Sequence, residues 1–134
     1  MKAKLVAVVI AAGVLLTAKT TDAHHAFSAE FDGNKPVTLT GKVTKVEWTN
    51  PHAWFYMDVA DASCKVTNWS FEMGAPNGLL REGWTRNSMK IGETVTVAGS
   101  RAKDGSAIAN AQTVTLKSTG QRLFAASSRG AKEP

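Results

Sequence analysis

The sequence predicts an all-β domain, a small antiparallel barrel of five or six strands with one short helix between the third and fourth strands. Three observations lead to this fold class. Apolar and polar residues alternate along several short segments, which is the pattern of strands with one buried face. Glycine, proline and asparagine separate these segments and provide turns. A single segment, after Pro76, has the pattern of a short helix.

Residues 1–23 are predicted to be a secretory signal peptide. Two lysines precede an apolar run from Leu5 to Leu16, and the small residue Ala23 lies at the expected cleavage site. The run is shorter than the roughly 20 residues that a membrane-spanning helix needs, and no later run approaches that length. We therefore expect an exported, periplasmic protein that begins at His24 and has no stable membrane span in its mature form. One alternative is an uncleaved membrane anchor. The other is a cut after Ala18, which would place Leu16 at the recognition position upstream of the cut, where it fits less well than Thr21.

The composition of the mature chain predicts one small domain that packing alone stabilises. Residues 24–134 number 111, which is enough for a single core. Their 13 basic and 10 acidic residues leave a net charge of +3, and the basic residues are scattered along the sequence. Scattered cations are typical of a solvated surface, so we expect no nucleic-acid partner. Cys64 is the single cysteine, which excludes an internal disulfide.

The first strand is predicted from Val37 to Trp48, after an irregular N-terminal lead-in, residues 24–36. Its apolar residues change from one parity to the other along the strand. This change indicates a bulge or a strong bend, and Gly41 offers a place for it. Asn50-Pro51 ends the strand, because a proline has no amide proton for the ladder.

The second and third strands show the clearest alternation and are predicted at Ala53–Val59 and Val66–Met73, with a turn between them. In each strand one parity is apolar and is expected to face the core, whereas the other parity is more polar. The inward residues are expected to be Phe55, Met57, Val59, Trp69, Phe71 and Met73.

A short helix is predicted after the third strand, because Pro76 suits a first helical turn and Gly83 ends the segment Asn77–Glu82.

Residues 125–134 lack apolar periodicity and are expected to form a disordered tail, so that the barrel domain comprises residues 37–124. A hairpin signal, Asp-Gly, lies between the next two predicted strands. These strands and a short return strand are Glu93–Ser100 with Val95 and Val97 inward, Ala107–Leu116, and Gln121–Phe124.

Three strands, one short helix and then two more strands is the order of the five-stranded Greek-key barrel called the OB-fold. The long and bent first strand favours closure, since in such a barrel it pairs with a neighbour on both sides. The alternative is an open antiparallel sheet, or a small sandwich, built from the same strands. We expect the OB-fold-like barrel.

Two motifs resemble a family of small exported bacterial proteins, the domain-of-unknown-function family 6152. They are the TNPHAW segment from Thr49 to Trp54 and the strand end Glu72-Met73-Gly74. The similarity extends from the His24-His25 lead-in to about Phe124. This resemblance implies a periplasmic protein with a single domain and supports the barrel. It implies no activity, since none is assigned to the family.

The candidate metal ligands are the three histidines of the sequence, His24, His25 and His52. Cleavage before His24 would give it a free amino group, which forms a chelate ring with its own imidazole, and the next amide and His25 add nitrogen donors. An all-nitrogen set favours Cu(II) and Ni(II), with copper the stronger. His52 lies on a rigid turn and could supply another imidazole. The alternative interpretation is a flexible terminus and a turn histidine that bind nothing.

Trp54 and Tyr56 are candidate ligand-binding residues. They have the parity opposite to the expected core face of the second strand, and OB-folds bind oligonucleotides or oligosaccharides around strands 2 and 3. Ring stacking suits sugars and planar small molecules. The alternative function is therefore a module that binds a small molecule, a glycan or a protein. The alternative interpretation of each ring is packing beneath the helix or the lead-in.

The sequence carries no familiar enzyme signature, neither a glycine-rich phosphate loop nor GxSxG, HExxH or CxxC. We therefore expect a binding protein without catalytic residues, with copper at the mature N-terminus as the leading hypothesis.

Overall fold

Six β-strands and a short helix form the part of the chain that the computed structural model describes, residues 27–126. The predicted signal peptide, His24, His25 and the predicted tail beyond residue 126 lie outside the described residues. Residues 27–30, just before the first strand, are helical. In chain order the elements are β1 (Phe31–Glu47), β2 (Trp54–Ala60), β3 (Val66–Glu72), α1 (Pro76–Arg81), β4 (Thr94–Ala102), β5 (Ile108–Leu116) and β6 (Arg122–Phe124).

The strands close into a barrel. Their order in the sheet is β3-β2-β1-β4-β5-β6, and β3 also pairs with β5 in parallel, from Ser70 opposite Ile108 to Glu72 opposite Asn110. We call this β3–β5 pairing the closure seam. β1 pairs antiparallel with β2 on one side and with β4 on the other. The predicted OB-fold-like barrel is confirmed, and the open sheet is excluded, because β1 has two neighbours and the seam joins the two ends of the five-stranded sheet.

β1 begins at Phe31, earlier than the predicted Val37, so part of the expected irregular lead-in is a strand. Phe31 pairs with Ala102 of β4, and the register shifts before Pro36. Phe31 is buried, and the Lys103 backbone N–H donates to the Glu30 carbonyl oxygen at 2.9 Å, which anchors the beginning of the strand. The exposed residues between Phe31 and Val37 include a glycine, an asparagine and a proline, so they lack the alternation that identifies a strand.

The bulge predicted in the first strand is present, but at another residue. The pairing of β1 with β2 shifts between Val43 and Lys45, whereas Gly41 was the predicted position. Gly41 serves a different purpose. A Cβ atom at this residue would collide with the backbone carbonyl oxygen of Asp58 on β2, so a glycine allows the two backbones to approach each other.

Gly41→Ala is expected to lower the free energy of unfolding by about 1–3 kcal/mol, the usual result of overpacking. The added methyl group meets backbone atoms, which cannot move aside as a flexible side chain can. Gly78→Ala is the matched control. Gly78 lies in α1 with open space around the position of a Cβ atom, so alanine there is expected to be neutral or stabilising by up to about 1 kcal/mol. Urea denaturation of the two variants measures both effects, and equal stabilities would contradict the close-approach argument.

The core of the barrel is built from the inward faces of β2, β3, β4 and β5. Phe55 and Phe71 lie opposite each other on β2 and β3 and stack with their ring centroids 4.9 Å apart. Val59 and Trp69, expected to face inward and to be largely buried, are only half-buried. Trp69 instead lies beneath Arg101, whose guanidinium carbon is 5.2 Å from its ring centroid. The other residues expected in the core are buried: Phe55, Met57, Phe71, Met73, Val95 and Val97.

The helix α1 and the C-terminal strand contribute one more packing layer. Gly83 ends the helical segment with a φ of 95°, a backbone conformation that favours glycine. Trp84 is buried and its Nε1–H donates to the Phe124 carbonyl oxygen at 2.8 Å. Ala125, where the disordered tail was predicted to begin, is buried and its N–H donates to the Gln112 carbonyl oxygen at 2.8 Å. Ala125 therefore packs as part of the barrel, one residue past the predicted boundary of the domain. Within residues 27–126, no helix has the length and apolarity needed to cross a membrane.

Candidate functional site

His52 lies in the turn between β1 and β2, against the end of β3. The Ala53 N–H donates to the Gly74 carbonyl oxygen at 3.0 Å, and the Met73 N–H donates to the Ala53 carbonyl oxygen at 2.8 Å. These two backbone bonds extend the ladder beyond β2 and β3 and hold the turn in place. The side chain of His52 is 38% exposed, and its Nδ1 lies 3.2 Å from the Met73 carbonyl oxygen.

The contact with Met73 determines which nitrogen of His52 carries the proton in the neutral ring. A carbonyl oxygen only accepts hydrogen bonds, so Nδ1 donates and bears the hydrogen. The lone pair of the neutral ring then lies on Nε2. His52 therefore has the tautomer in which Nε2 can accept a hydrogen bond or bind a metal ion.

Glu72 lies beside His52 at the end of β3. Its carboxylate Oε1 is 4.0 Å from His52 Nδ1, and it accepts a hydrogen bond from Asn110 Nδ2 at 3.3 Å. The Glu72 side chain is only 12% exposed. Burial raises the pKa of this carboxyl group above its ordinary value, and the negative charge of Glu30 adds to the rise, whereas His52 and Asn110 oppose it.

The closure seam brings these groups together. Glu72 is opposite Trp54 on one side and opposite Asn110 on the other, and His52 is two residues before Trp54 in the sequence. We call His52, Glu72 and Asn110 the seam cluster. By themselves the described residues do not complete a metal site, since no group of three or more His, Cys, Asp or Glu side chains in residues 27–126 is arranged to hold a metal ion.

The two predicted aromatic residues lie on the outer face of β2, close to the seam cluster. Trp54 and Tyr56 are both half-buried. The Lys45 ammonium lies 5.4 Å from the Tyr56 ring centroid and 2.6 Å from the Glu47 carboxylate. Burial, with the charge of Glu47, raises the pKa of Tyr56, and Lys45 opposes the rise. Both rings are therefore partly open on the outer face of β2, and an ion pair borders Tyr56.

The family model of the proteins of unknown function called DUF6152 matches residues 11–111 of the chain. The chain belongs to DUF6152. No curated protein is detectably similar to it. Among solved structures, the N-terminal domain of the PriB protein from Thermoanaerobacter tencongensis, described as dimeric, is similar. That domain is 21% identical, with a TM-score of 0.43, and the match covers 62% of this chain and 96% of that chain.

Sequence reasoning on this DUF6152 protein identified His52 but assigned no role to its two partners in the seam cluster. Glu72 has the outward parity of β3, so alternation alone predicts a solvated carboxylate. Asn110 interrupts a predicted strand with a polar residue, yet it is 3% exposed. Asn110 is buried and Glu72 is largely shielded from solvent where the seam joins β3 to β5. No local pattern in the sequence reveals this pairing.

Proposed function

We propose that the processed protein is a periplasmic binding protein that holds Cu(II) with the amino group and imidazole of His24, with His25, and with Nε2 of His52. It has no catalytic residue and no nucleic-acid partner in this proposal. The nitrogen donors of the terminus favour copper among the divalent ions. The imidazole of His52 would add a donor from the folded barrel, so that the metal joins the terminus to the domain.

The orientation of His52 is the observation that carries this proposal. Histidines that bind a metal through one ring nitrogen usually donate the other N–H to a carbonyl or a carboxylate, which fixes the tautomer. His52 has both kinds of acceptor beside Nδ1, the Met73 carbonyl oxygen at 3.2 Å and the Glu72 carboxylate at 4.0 Å.

The position of Glu30 supports the participation of the terminus. Its charge raises the pKa of Glu72, so the residues just before β1 and the seam cluster lie within electrostatic reach of each other. Residues 27–30 are helical and rise about 1.5 Å per residue, so the five peptide units from His25 to Glu30 span at most about 12 Å. The carboxylates of Glu30 and Glu72 together would also favour a nearby dication.

A Cu(II) titration of protein that begins at His24 tests the proposal. We expect one copper ion per chain, bound more tightly than by an unfolded peptide of residues 24–36. His52→Ala is expected to weaken binding by at least about tenfold, the lower limit seen when even an indirect partner of a metal is lost. Affinity for the folded protein no higher than for the peptide would reject the metal function.

A second candidate function is binding of a glycan, a planar small molecule or a protein segment on the outer face of β2. The observation that favours it is the shared, partial exposure of Trp54 and Tyr56. Aromatic side chains that are already half-buried on a strand lose little conformational entropy when a ligand stacks on them, and each ring offers a flat apolar face.

The double variant Trp54→Ala/Tyr56→Ala tests this second function. If the face binds glycans, wild-type protein should bind a soluble probe such as chitohexaose or cellohexaose, and the double variant should lose at least about tenfold in affinity, which corresponds to 1.4 kcal/mol. Isothermal titration calorimetry measures both. Leu80→Ala, at an exposed apolar residue on α1, is the control and should bind like the wild type. Equal binding by the double variant would rule out the aromatic surface.

A further inference from the structure

We propose that the outer face of β1, β4, β5 and β6 is a docking surface for an anionic polysaccharide, a linear chain that carries a carboxylate on its sugars. We call this surface the threonine face, after the six threonines that lie on it: Thr38, Thr40, Thr94, Thr96, Thr113 and Thr115. It contains no residue of the seam cluster and neither of the two aromatic residues of β2. The proposal is therefore independent of both functions proposed above.

A tripeptide pattern, threonine–apolar–threonine, recurs in three strands of this face. It comprises residues 38–40 in β1, 94–96 in β4 and 113–115 in β5. The central residues in β4 and β5, Val95 and Val114, are fully buried, so alternation along each strand directs the threonines on either side outward. Threonine is common on the outer face of a strand, so the neighbouring charges have to identify the partner.

The register of the strands aligns the threonines in rows across the sheet. Thr96 lies opposite Thr40 of β1 on one side and opposite Thr115 of β5 on the other. Neighbouring strands are about 4.8 Å apart, so this row is about 10 Å long. The hydroxyl oxygens of Thr40 and Thr96 share a hydrogen bond at 2.8 Å, whereas within residues 27–126 the other four hydroxyls have no hydrogen-bond partner in the protein. Those four hydroxyls can therefore bond to a ligand.

Three cations that are scattered in the sequence lie together at one end of the threonine rows. Lys42 is opposite Thr94, and the Lys117 N–H donates to the Thr94 carbonyl oxygen at 3.1 Å, so the two lysines flank Thr94. Arg122 is opposite Thr115. All three cations are exposed, and none of them forms an ion pair in the part of the chain that the structure describes.

No acidic residue of the described chain lies on the threonine face, and the two carboxylates at its border have partners of their own. Asp58, opposite Lys42 on β2, accepts a hydrogen bond from Asn68 at 2.9 Å. Glu93, just before β4, accepts one from the Ser118 hydroxyl at 2.6 Å. A face with cations and no anion attracts anionic ligands.

The spacing of the charges favours a polysaccharide among the anionic ligands. Lysine and arginine donate strongly to carboxylates, and threonine hydroxyls both donate and accept, as sugar hydroxyls do. Separated cations among hydroxyls therefore match a chain with one carboxylate on each sugar. A membrane surface needs exposed apolar anchors, and single-stranded nucleic acid needs open aromatic rings. Among the described residues of this face the one aromatic side chain is Phe124, which is half-buried.

The test titrates hexagalacturonate into two double variants that lose the same charge from exposed residues. Lys42→Gln/Lys117→Gln removes two cations from the threonine face. Lys65→Gln/Lys103→Gln is the matched control, because its lysines lie in the connections after β2 and after β4. Isothermal titration calorimetry is carried out at about 0.1 M salt, where exposed charges more than about 10 Å apart are largely screened. We expect the control to bind like the wild type and the Lys42/Lys117 variant to bind at least about fivefold more weakly.

A third variant, Thr94→Val/Thr115→Val, tests the hydroxyls without changing the charge. Valine keeps the branched side chain that strands favour, so the variant should fold, which urea denaturation verifies. We expect it to bind hexagalacturonate about threefold more weakly or less tightly still, because two hydrogen bonds to the ligand are lost. Trp54→Ala/Tyr56→Ala should bind like the wild type, which separates this surface from the aromatic residues of β2.

Four results would overturn the docking surface. The first is a wild type that does not bind hexagalacturonate, and the second is equal weakening by the two lysine variants, which would reduce the attraction to net charge. The third is equally tight binding of the neutral chain maltohexaose, since it offers no carboxylate to the cations. The fourth is tighter binding to oligothymidylate or to phosphatidylglycerol vesicles, which would assign the face to a nucleic acid or to a membrane.

Discussion

Extension of the mature N-terminus by Gly-Ser-Gly-Ser is expected to lower Cu(II) affinity by roughly 100-fold or more, since the loss of even an indirect partner typically costs 10–100-fold. The extension converts the amino group of His24 into an amide in a peptide bond, which opens the chelate ring that the amine forms with the imidazole. Both imidazoles of the terminus and His52 remain, so the effect isolates the amine.

The length of the extension is part of the design. One or two added residues would make a histidine the third residue of the chain. There the new amine, two backbone amides and the imidazole would form another all-nitrogen copper chelate, with its own high affinity. Four residues avoid this arrangement.

The measurement is a competition titration against a chromogenic Cu(II) chelator, with each protein exported by its own signal and its first residue verified by N-terminal sequencing. The same four residues placed after Pro134 are the control and should leave the affinity unchanged. Because the ligands must be unprotonated, the affinity of the authentic form should fall as the pH falls through the range in which imidazoles take up protons. Equal affinities of the extended and authentic forms would remove the amine from the site, and a first residue other than His24 would remove the chelate itself.

Local sequence patterns predicted the barrel well because each strand needs one apolar face. The alternation around Phe55 and Phe71 identifies β2 and β3, and the change of parity in β1 indicates its bulge. The beginning of β1 was not predicted, because Phe31 is followed in the sequence by residues that are typical of turns. Its burial depends on pairing with Ala102, which is far along the chain. Such long-range pairing produces no periodic pattern of apolar residues in the local sequence.

The seam cluster at the candidate site also depends on long-range pairing that local sequence patterns do not predict. His52 is recognisable because histidines are few and the TNPHAW motif is unusual. Its partners are not recognisable, since the bond from Asn110 to Glu72 joins residues 38 positions apart through the parallel pairing of β3 with β5. Parity assigns Glu72 to solvent, and only closure of the barrel buries it. Closure must therefore hold if the seam cluster is to keep its geometry.

Phe71→Ala is expected to lower the free energy of unfolding by about 3–5 kcal/mol, the range for removal of a large buried aromatic side chain. Phe71 is fully buried, stacks on Phe55 with the rings 13° from parallel, and is opposite Ala109 in the closure seam. Alanine leaves a cavity at the point where β2, β3 and β5 meet, and the small Ala109 side chain cannot fill it. Because small domains have only about 5–15 kcal/mol of stability in total, the loss would be a large fraction of it.

Val66→Ala on the same strand is the control for Phe71→Ala. Val66 is 57% exposed, so its truncation should change the stability by less than about 0.5 kcal/mol. Urea denaturation followed by tryptophan fluorescence measures both variants. Since Phe71 and Glu72 are neighbours in the seam, Phe71→Ala should also loosen the contact between Glu72 and Asn110. A loss below 1 kcal/mol would show that the barrel closes without the Phe55–Phe71 stack, and the support of His52 would then have to come from its backbone turn alone.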